Sequence, residues 1–461
     1  MQDYLEHLHE ERWVMIRHIN GKGLEVSNNK FNVLPKAIKA VHEDDPIAYK
    51  DYARFIIKDF NDPVEVEDGT LNYVFITLED IPYDTIKKYL DKLLPEGKLL
   101  VHTKDSDGWK FLMYQYDNGN VILSNPCFND LPEKNVGIIR YGAIGDLLQT
   151  TSVTRQFKKL GYHVTVYAQN PAADILRNNP DIDQIIATDR EVVRNNELRL
   201  YWDWLAKQHT KLVNLAGSVE DVLLPGETRP QFYWPYPIRH KYLNTNYVQF
   251  MHELAGIKYN LDVKFHPTQE EIEWAKEERK KFKEEKLIMW ALNGSSVHKV
   301  FPHFDEFVAR VMLLLPNVGV VTLGDERAQL LEAGWENEPR VYRTSGTWTI
   351  RQSLTFVKLY GDLVIGPETG ILNSVATEKM PKIIFLSHSS VQNLTRDWKN
   401  TYSMVAPAEV KKECDNCCMH RLHMWDSGFT HIKMDEETGV AHCQAKMNRE
   451  ELWIQTIKAL K

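Results

Sequence analysis

Apolar residues along this chain fall into short runs divided by amphipathic stretches, and the alternation starts afresh twice. The first series lies near residues 72–125. NYVFITL (72–78) predicts a strand, DTIKKYLDKLL (84–94) an amphipathic helix, and PEGKLLVHTK (95–104) a second strand after a Pro/Gly turn. WKFLMYQY and GNVILSN then predict a hairpin about Asp117-Asn118-Gly119. The second series opens at NVGIIR (135–140), passes through the loop YGAIGD, and continues as the helix LLQTTSVTRQFKKLG (147–161). Strands are expected at 163–168, 183–188 and 211–216, with helices at AADILRNN and YWDWLAKQ between them. After IKYNLDVKFHPTQ (257–269), which predicts a linker, a charged helix (270–285) leads into a third series. It alternates the strands LIMWAL, VGVVTLG, RVYR, DLVIG and KIIFLS with the helices FDEFVARVMLLL, ERAQLLEAG, RQSLTFVKLYG and ILNSVATEK.

Strands that alternate with helices imply right-handed βαβ units and parallel, doubly wound sheets, whose ligands bind beyond the carboxyl ends of the strands. The expected fold is therefore α/β: two Rossmann-like doubly wound domains facing a cleft, with an extra α/β domain before them. The boundaries predicted are 1–133 for the first domain, 134–262 for the second and 263–461 for the third. The final helix, 450–460, is expected to pack back on the middle domain. The order of elements in 1–133 resembles the closing half of a methyltransferase-like sheet. No glycine-rich loop follows a first strand there, so a degenerate module that binds no S-adenosylmethionine is expected.

Bulk properties narrow the function. The 461 residues are 43% hydrophobic and 26% charged, an ordinary globular composition. The net charge of −8 gives no electrostatic footprint for nucleic acid, short of a local basic groove. The opening MQDYLEHLHEERWVM has no basic-then-apolar pattern of a secretory signal, and no apolar run approaches the ~20 residues that span a bilayer. A cytoplasmic protein, able to touch a membrane surface, is expected. Of five cysteines, Cys414, Cys417, Cys418 and Cys443 cluster late in the chain.

Three loops can carry chemistry. Gly142-Ala143-Ile144-Gly145-Asp146 joins strand to helix, its glycines allowing close approach of a ligand. Asp146 is either a helix cap or a functional carboxylate. Asn293-Gly294-Ser295-Ser296-Val297-His298-Lys299 combines hydroxyls with one ammonium, which suits a diphosphate; a polar turn with a solvated lysine is the plainer alternative. Gly366-Pro367-Glu368-Thr369-Gly370 opens the helix ILNSVATEK, a free N-terminus that attracts anions, unless Glu368 and Thr369 merely cap it.

At these residues the chain resembles glycosyltransferase family 9, the heptosyltransferase-like family of the GT-B type, over about 135–461. The resemblance is carried by IIRYGAIGDLLQTTSVTRQFKK (138–159), SSVHKVFPHFDEFVARV (295–311) and LVIGPETGILNSVATEKMPKIIFLS (363–387), in the family's order. It implies an inverting, metal-independent transfer of a sugar from a nucleotide-diphosphate sugar to a hydroxyl on a glycan. Asp146 would be the general base on a loop holding Gly142 and Gly145. Ser295, Ser296 and Lys299 would bind the donor phosphates, Thr369 and Gly370 would cradle the diphosphate, and Asp325 or Glu326 would meet the ribose. The family's usual aspartate is Glu368 here and its usual histidine is Asn373, both at the donor site, so the donor need not be an ADP-heptose. The family often carries a spaced cysteine set before its last helix. Cys414, Cys417, Cys418 and Cys443, with His420 and His442, are compatible with a structural zinc; no cofactor is implied for catalysis. Two other functions fit the same motifs: transfer to modified DNA bases, which wants a basic channel, and non-catalytic binding of a nucleotide sugar. A glycosidase is disfavoured, since nothing marks a carboxylate pair at fixed separation.

Overall fold

The computed structural model describes residues 23–26, 38–42, 55–57, 71–77, 88–90, 92–105, 108–117, 120–124, 131–188, 198–413, 416, 419–422 and 433–461. These divide into two compact units. One comprises residues 1–137, 165–171 and 184–212, and the other 138–164, 172–183 and 213–461.

The first unit contains a seven-stranded sheet in the order β3-β2-β1-β4-β5-β6-β7. Its strands are β1 (Gly23–Val26), β2 (Ile38–His42), β3 (Phe55–Ile57), β4 (Leu71–Thr77), β5 (Leu93–Asp105), β6 (Gly108–Asp117) and β7 (Asn120–Ser124). β1 to β5 pair in parallel, and β5-β6-β7 is an antiparallel meander. The expected hairpin is thus present. Val74, Ile76 and the run Leu99–Val101 are fully buried, as a sheet covered on both faces requires. Of the helix expected at 84–94, only 88–90 is both described and helical, because β5 already begins at Leu93.

A second sheet runs β10-β9-β8-β11, built from β8 (Asn135–Ile139), β9 (His163–Gln169), β10 (Gln184–Thr188) and β11 (Lys211–Asn214). Residues after β8 form helix α1 (Ile144–Lys159), with Asp146 in its first turn and Lys158 and Lys159 in its last, complementing the helix dipole. The segment AADILRNN, expected as a helix, is only a 3₁₀ turn at Ala172–Leu176.

The larger unit holds a six-stranded, wholly parallel sheet in the order β14-β13-β12-β15-β16-β17. Its strands are β12 (Lys286–Ala291), β13 (Val318–Leu323), β14 (Val341–Arg343), β15 (Leu363–Pro367), β16 (Lys382–Leu386) and β17 (Thr401–Val405). Numbered within the sheet, this is the doubly wound order 3-2-1-4-5-6, whose order of strand addition reverses between β12 and β15 and opens a crevice there. Trp290 of β12 anchors the core, its ring 4.7 Å from Phe307 and 5.3 Å from Phe304. The last helix, Arg449–Leu460, corrects the expectation made for it. Leu452 and Leu460 belong to this same core, and Tyr402 of β17 donates to Glu451, so the helix covers the six-stranded sheet. Its apolar side matches Phe307, whose ring lies 6.1 Å from Trp453.

Candidate functional site

The site lies within the larger unit, as a cavity of about 600 Å³. That is the size class of pockets that enclose small-molecule ligands. Its wall includes the loops after β8, β12 and β15, the last two flanking the switch point, together with residues that follow β13, β14 and β16. The strands end where they do because their apolar runs stop, and glycines and small polar residues take over. Gly370 needs its missing side chain: a Cβ there would lie 2.7 Å from Ile144 Cγ2. A Cβ on Gly145 would stand 3.2 Å from Asn373 Nδ2. Loops distant in sequence therefore touch backbone to backbone.

Asp146 lines the cavity and is held at both oxygens. Oδ2 accepts from the Ala143 N–H at 2.9 Å, and Oδ1 lies 3.0 Å from Arg140 Nη2. Asp146 thus completes a capping box at the start of α1 while lining the cavity. Arg140 is buried at the end of β8 and also donates Nη2 to both oxygens of Glu220, at 2.9 and 3.1 Å. Burial and the charge of Asp146 push the Glu220 carboxyl up, against the pull of Arg140. One guanidinium thus serves two carboxylates. Glu220 and its neighbours Val219 and Leu224, the latter two on the cavity wall, carry no motif that sequence reasoning could use.

Lys299 reaches the cavity by crossing Gly294, where a Cβ would stand 2.5 Å from the lysine's Cδ. Its ammonium has no hydrogen-bond or ion-pair partner among the described residues. Burial lowers its pKa, while Glu368 and Asp146 favour the charge. Ser295 lines the cavity; Ser296 is absent from the wall and lies 3.1 Å from His298 Nε2. The two serines expected to act together therefore face different surroundings.

Glu368 also lines the wall, but its oxygens are occupied. Oε1 accepts from the Ser387 N–H at 2.5 Å, and Oε2 accepts from Ser389 Oγ at 2.7 Å and His388 Nε2 at 3.1 Å. Burial alone would raise this carboxyl; the partners and the Lys299 charge outweigh it and hold the pKa below the usual value. Burial lowers His388 to about 4, so at neutral pH its ring is a neutral donor to Glu368 and accepts at Nδ1 from His298 Nε2, 2.9 Å away. Tyr247 OH, on the wall, is 3.0 Å from Ser389 Oγ. It sits in a helix, Tyr247–Ala255, that the Asn246 cap and the Gly256 stop would have revealed in the sequence.

Thr369 Oγ1 is buried with no hydrogen-bond partner among the described residues, and Gly370 follows it on the wall. The helix they open spans only Gly370–Ser374, shorter than the nine residues expected, so its dipole contributes little. Asn373 turns inward and bonds Gln149, a wall residue on α1. Asp325 and Glu326 also line the cavity. Asp325 accepts from Asn293 Nδ2 at 3.0 Å and pairs with Arg327, its Nη2 at 2.6 Å. Gly142 has φ +132, the left-handed range that glycine tolerates.

Cys414, Cys417 and Cys418 lie outside the described residues, as does Cys127; Cys443 is half-buried in the short helix His442–Ala445. Among the described residues no group of three or more His, Cys, Asp or Glu has metal-binding geometry. No described helix is long and apolar enough to cross a membrane.

No family model matches the chain, and no curated protein does. Similar solved structures include a family 9 glycosyl transferase from Veillonella parvula, at 12% identity and TM-score 0.49, covering 72% of this chain and 98% of that one. The E. coli ADP-heptose heptosyltransferase II is similar at 13% identity and TM-score 0.47, covering 71% of this chain and 98% of that one. The iron-containing dodecameric glycosyltransferase TibC from enterotoxigenic E. coli is similar at 12% identity and TM-score 0.45, covering 76% of this chain and 85% of that one.

Proposed function

We propose that this chain is an inverting glycosyltransferase that moves a sugar from a nucleotide-diphosphate sugar to a hydroxyl of a glycan, with no metal required. One observation carries the reading: a single cavity holds a partner-free ammonium, Lys299, and a positioned carboxylate, Asp146. Glu368 and Asp146 favour the Lys299 charge but neither bonds the ammonium, so an anion seated against it gains a direct charge-assisted contact. A diphosphate beside Lys299, Ser295 and Thr369 supplies that anion and satisfies the orphaned Thr369 hydroxyl.

In this reading Asp146 takes the proton of the acceptor hydroxyl as its oxygen attacks the anomeric carbon. The bond from that carbon to the diphosphate oxygen breaks on the opposite face, so configuration inverts. Lys299 stabilises the charge that grows on the departing diphosphate. The short Gly370–Ser374 turn shifts this burden from a helix end to the lysine. Asp325 and Glu326 would face the ribose. The proposed domain division keeps 134–262 for the acceptor and 263–461 for the donor.

The test is a thermal-shift screen of ADP-, UDP- and GDP-linked sugars, followed by turnover with the best binder. A ligand at 100 times its dissociation constant stabilises by about 2.7 kcal/mol. Binding weakened by Lys299→Ala, for the diphosphate far more than for the nucleoside, is expected. No stabilisation by any nucleotide sugar or diphosphate would defeat the reading, and binding without turnover on any glycan would leave a nucleotide-sugar binder instead.

A further inference from the structure

One amide on the cavity wall has its orientation dictated by the fold. Asn373 stands 2.9 Å from the Thr369 carbonyl oxygen, and a carbonyl only accepts, so the group facing it is Nδ2. Asn373 Oδ1 is then turned the other way, where it meets Gln149 at 2.9 Å. That oxygen only accepts too, so Gln149 must present Nε2 to it. The backbone carbonyl of Thr369 thus fixes two side-chain amides in turn, across 224 positions of sequence.

What remains is Gln149 Oε1. It is buried and has no hydrogen-bond partner among the described residues, although Gln149 is only 5% exposed and forms part of the cavity wall. The amide cannot turn over to relieve it without setting two oxygens against each other. Gln149 lies three residues beyond Asp146 on α1, hence on the same side of the helix. At this point the cavity wall presents an unused acceptor, Gln149 Oε1.

We propose that Gln149 is a specificity-determining residue whose Oε1 accepts a hydrogen bond from a hydroxyl of the sugar being transferred, so that the donor carries a hydroxyl at this point and not a methyl group or an anion. The proposal rests on the glycosyltransferase reading above. A site built to bond a hydroxyl rejects the analogue without it far more sharply than an apolar pocket rejects an extra methylene. Asn373 is a positioning residue in the same scheme, since it keeps the Gln149 oxygen turned away from itself.

The test uses the full chain and calorimetry with ADP-, UDP- and GDP-linked sugars, each beside its free nucleoside diphosphate. For the sugar nucleotide that binds best, Gln149→Met should remove about tenfold of affinity while leaving the free diphosphate unchanged, since a hydrogen bond is lost without loss of bulk. Among its monodeoxy analogues, one should bind wild type and Gln149→Met alike. Asn373→Leu, which frees the amide to turn, should narrow the discrimination between parent and that deoxy sugar, and it decides the matter should Gln149→Met not fold. Equal losses for sugar nucleotide and free diphosphate, or an unchanged preference in both variants, would overturn the role of Gln149 alone. Failure of wild type to bind any diphosphate or sugar nucleotide would overturn the functional reading, and this proposal with it.

Discussion

At the scale of single residues, the proposed transfer turns on Asp146. Its two oxygens already have protein partners, yet it retains lone pairs toward the cavity. Asp146→Asn keeps the bulk but removes the base, and turnover should fall by about 10²–10⁴, with affinity for the free diphosphate unchanged. Turnover near the wild-type level in a steady-state assay would reduce the residue to a helix cap. Lys299→Ala should weaken diphosphate binding by roughly 1.5–3 kcal/mol and nucleoside binding hardly at all, which calorimetry separates. His388 yields a pH prediction. Its folded pKa, about 4, is depressed from 6.5 by burial, so the unfolded chain binds more protons between those values. Stability is therefore complete above about pH 6.5 and declines as pH falls toward 4. In urea unfolding at several pH values, His388→Gln should flatten that decline; an unchanged slope would show that His388 titrates normally. His420, lowered to about 3, leaves part of the slope in place.

At the scale of elements, the close approach of two loop ends matters most. Gly370→Ala would press a methyl group to within 2.7 Å of Ile144 Cγ2, and the loops must part to accept it. A loss of about 1–3 kcal/mol in thermal unfolding is expected, together with reduced turnover, because the shift separates Asp146 from Thr369. The central parallel strands were legible because each is a short run of buried residues, the leading lysine of the first excepted: KLIMWA, VGVVTL, LVIGP and KIIFL stop within a residue or two of the expected ends. Helix lengths were less so. ILNSVATEK reads as helical, but after Ser374 the backbone bonds Ala376 to Asn373 and Glu378 to Val375, three-residue closures that tighten the chain into turns. β-branched Val375 and Thr377 and the polar Asn373 and Ser374 all weaken helix there. ERAQLLEAG likewise becomes a 3₁₀ helix at Glu326–Glu332, with Asp325 at its N-cap accepting from the Ala328 N–H. Of the candidate site, Asp146, Lys299 and Thr369 were readable from loop chemistry. Gln149, Arg140 and Glu220 were not, since each acquires its role from a partner far off in sequence.

At the scale of the molecule, the larger unit is assembled from three separate stretches of chain. Arg351, 2% exposed, is one rivet of that assembly. It bonds Glu271 through Nε at 2.6 Å and Nη2 at 2.9 Å, and it also bonds the carbonyls of Asp174 at 2.9 Å and His266 at 3.0 Å. Arg351→Ala would leave several buried carbonyls unpaired, while Glu271 keeps the Thr268 N–H and Arg177, so a loss of about 1–3 kcal/mol is expected in denaturant unfolding. A loss under 1 kcal/mol would mean that water replaces the guanidinium freely. The compact units cut across the boundaries expected from the order of strands and helices, for periodicity reports which residues are apolar and not which distant segment they meet. One consequence concerns cooperativity. Helix α1 precedes the six-stranded sheet by over a hundred residues, yet it shares a unit with it and meets it through the Gly145–Gly370 junction. Segments that belong to one cooperative block open together. The slow amide protons of α1 should therefore exchange with the same opening free energy as those of β12 and β15, so that the carboxylate and the ammonium of the site are lost, and regained, in a single event.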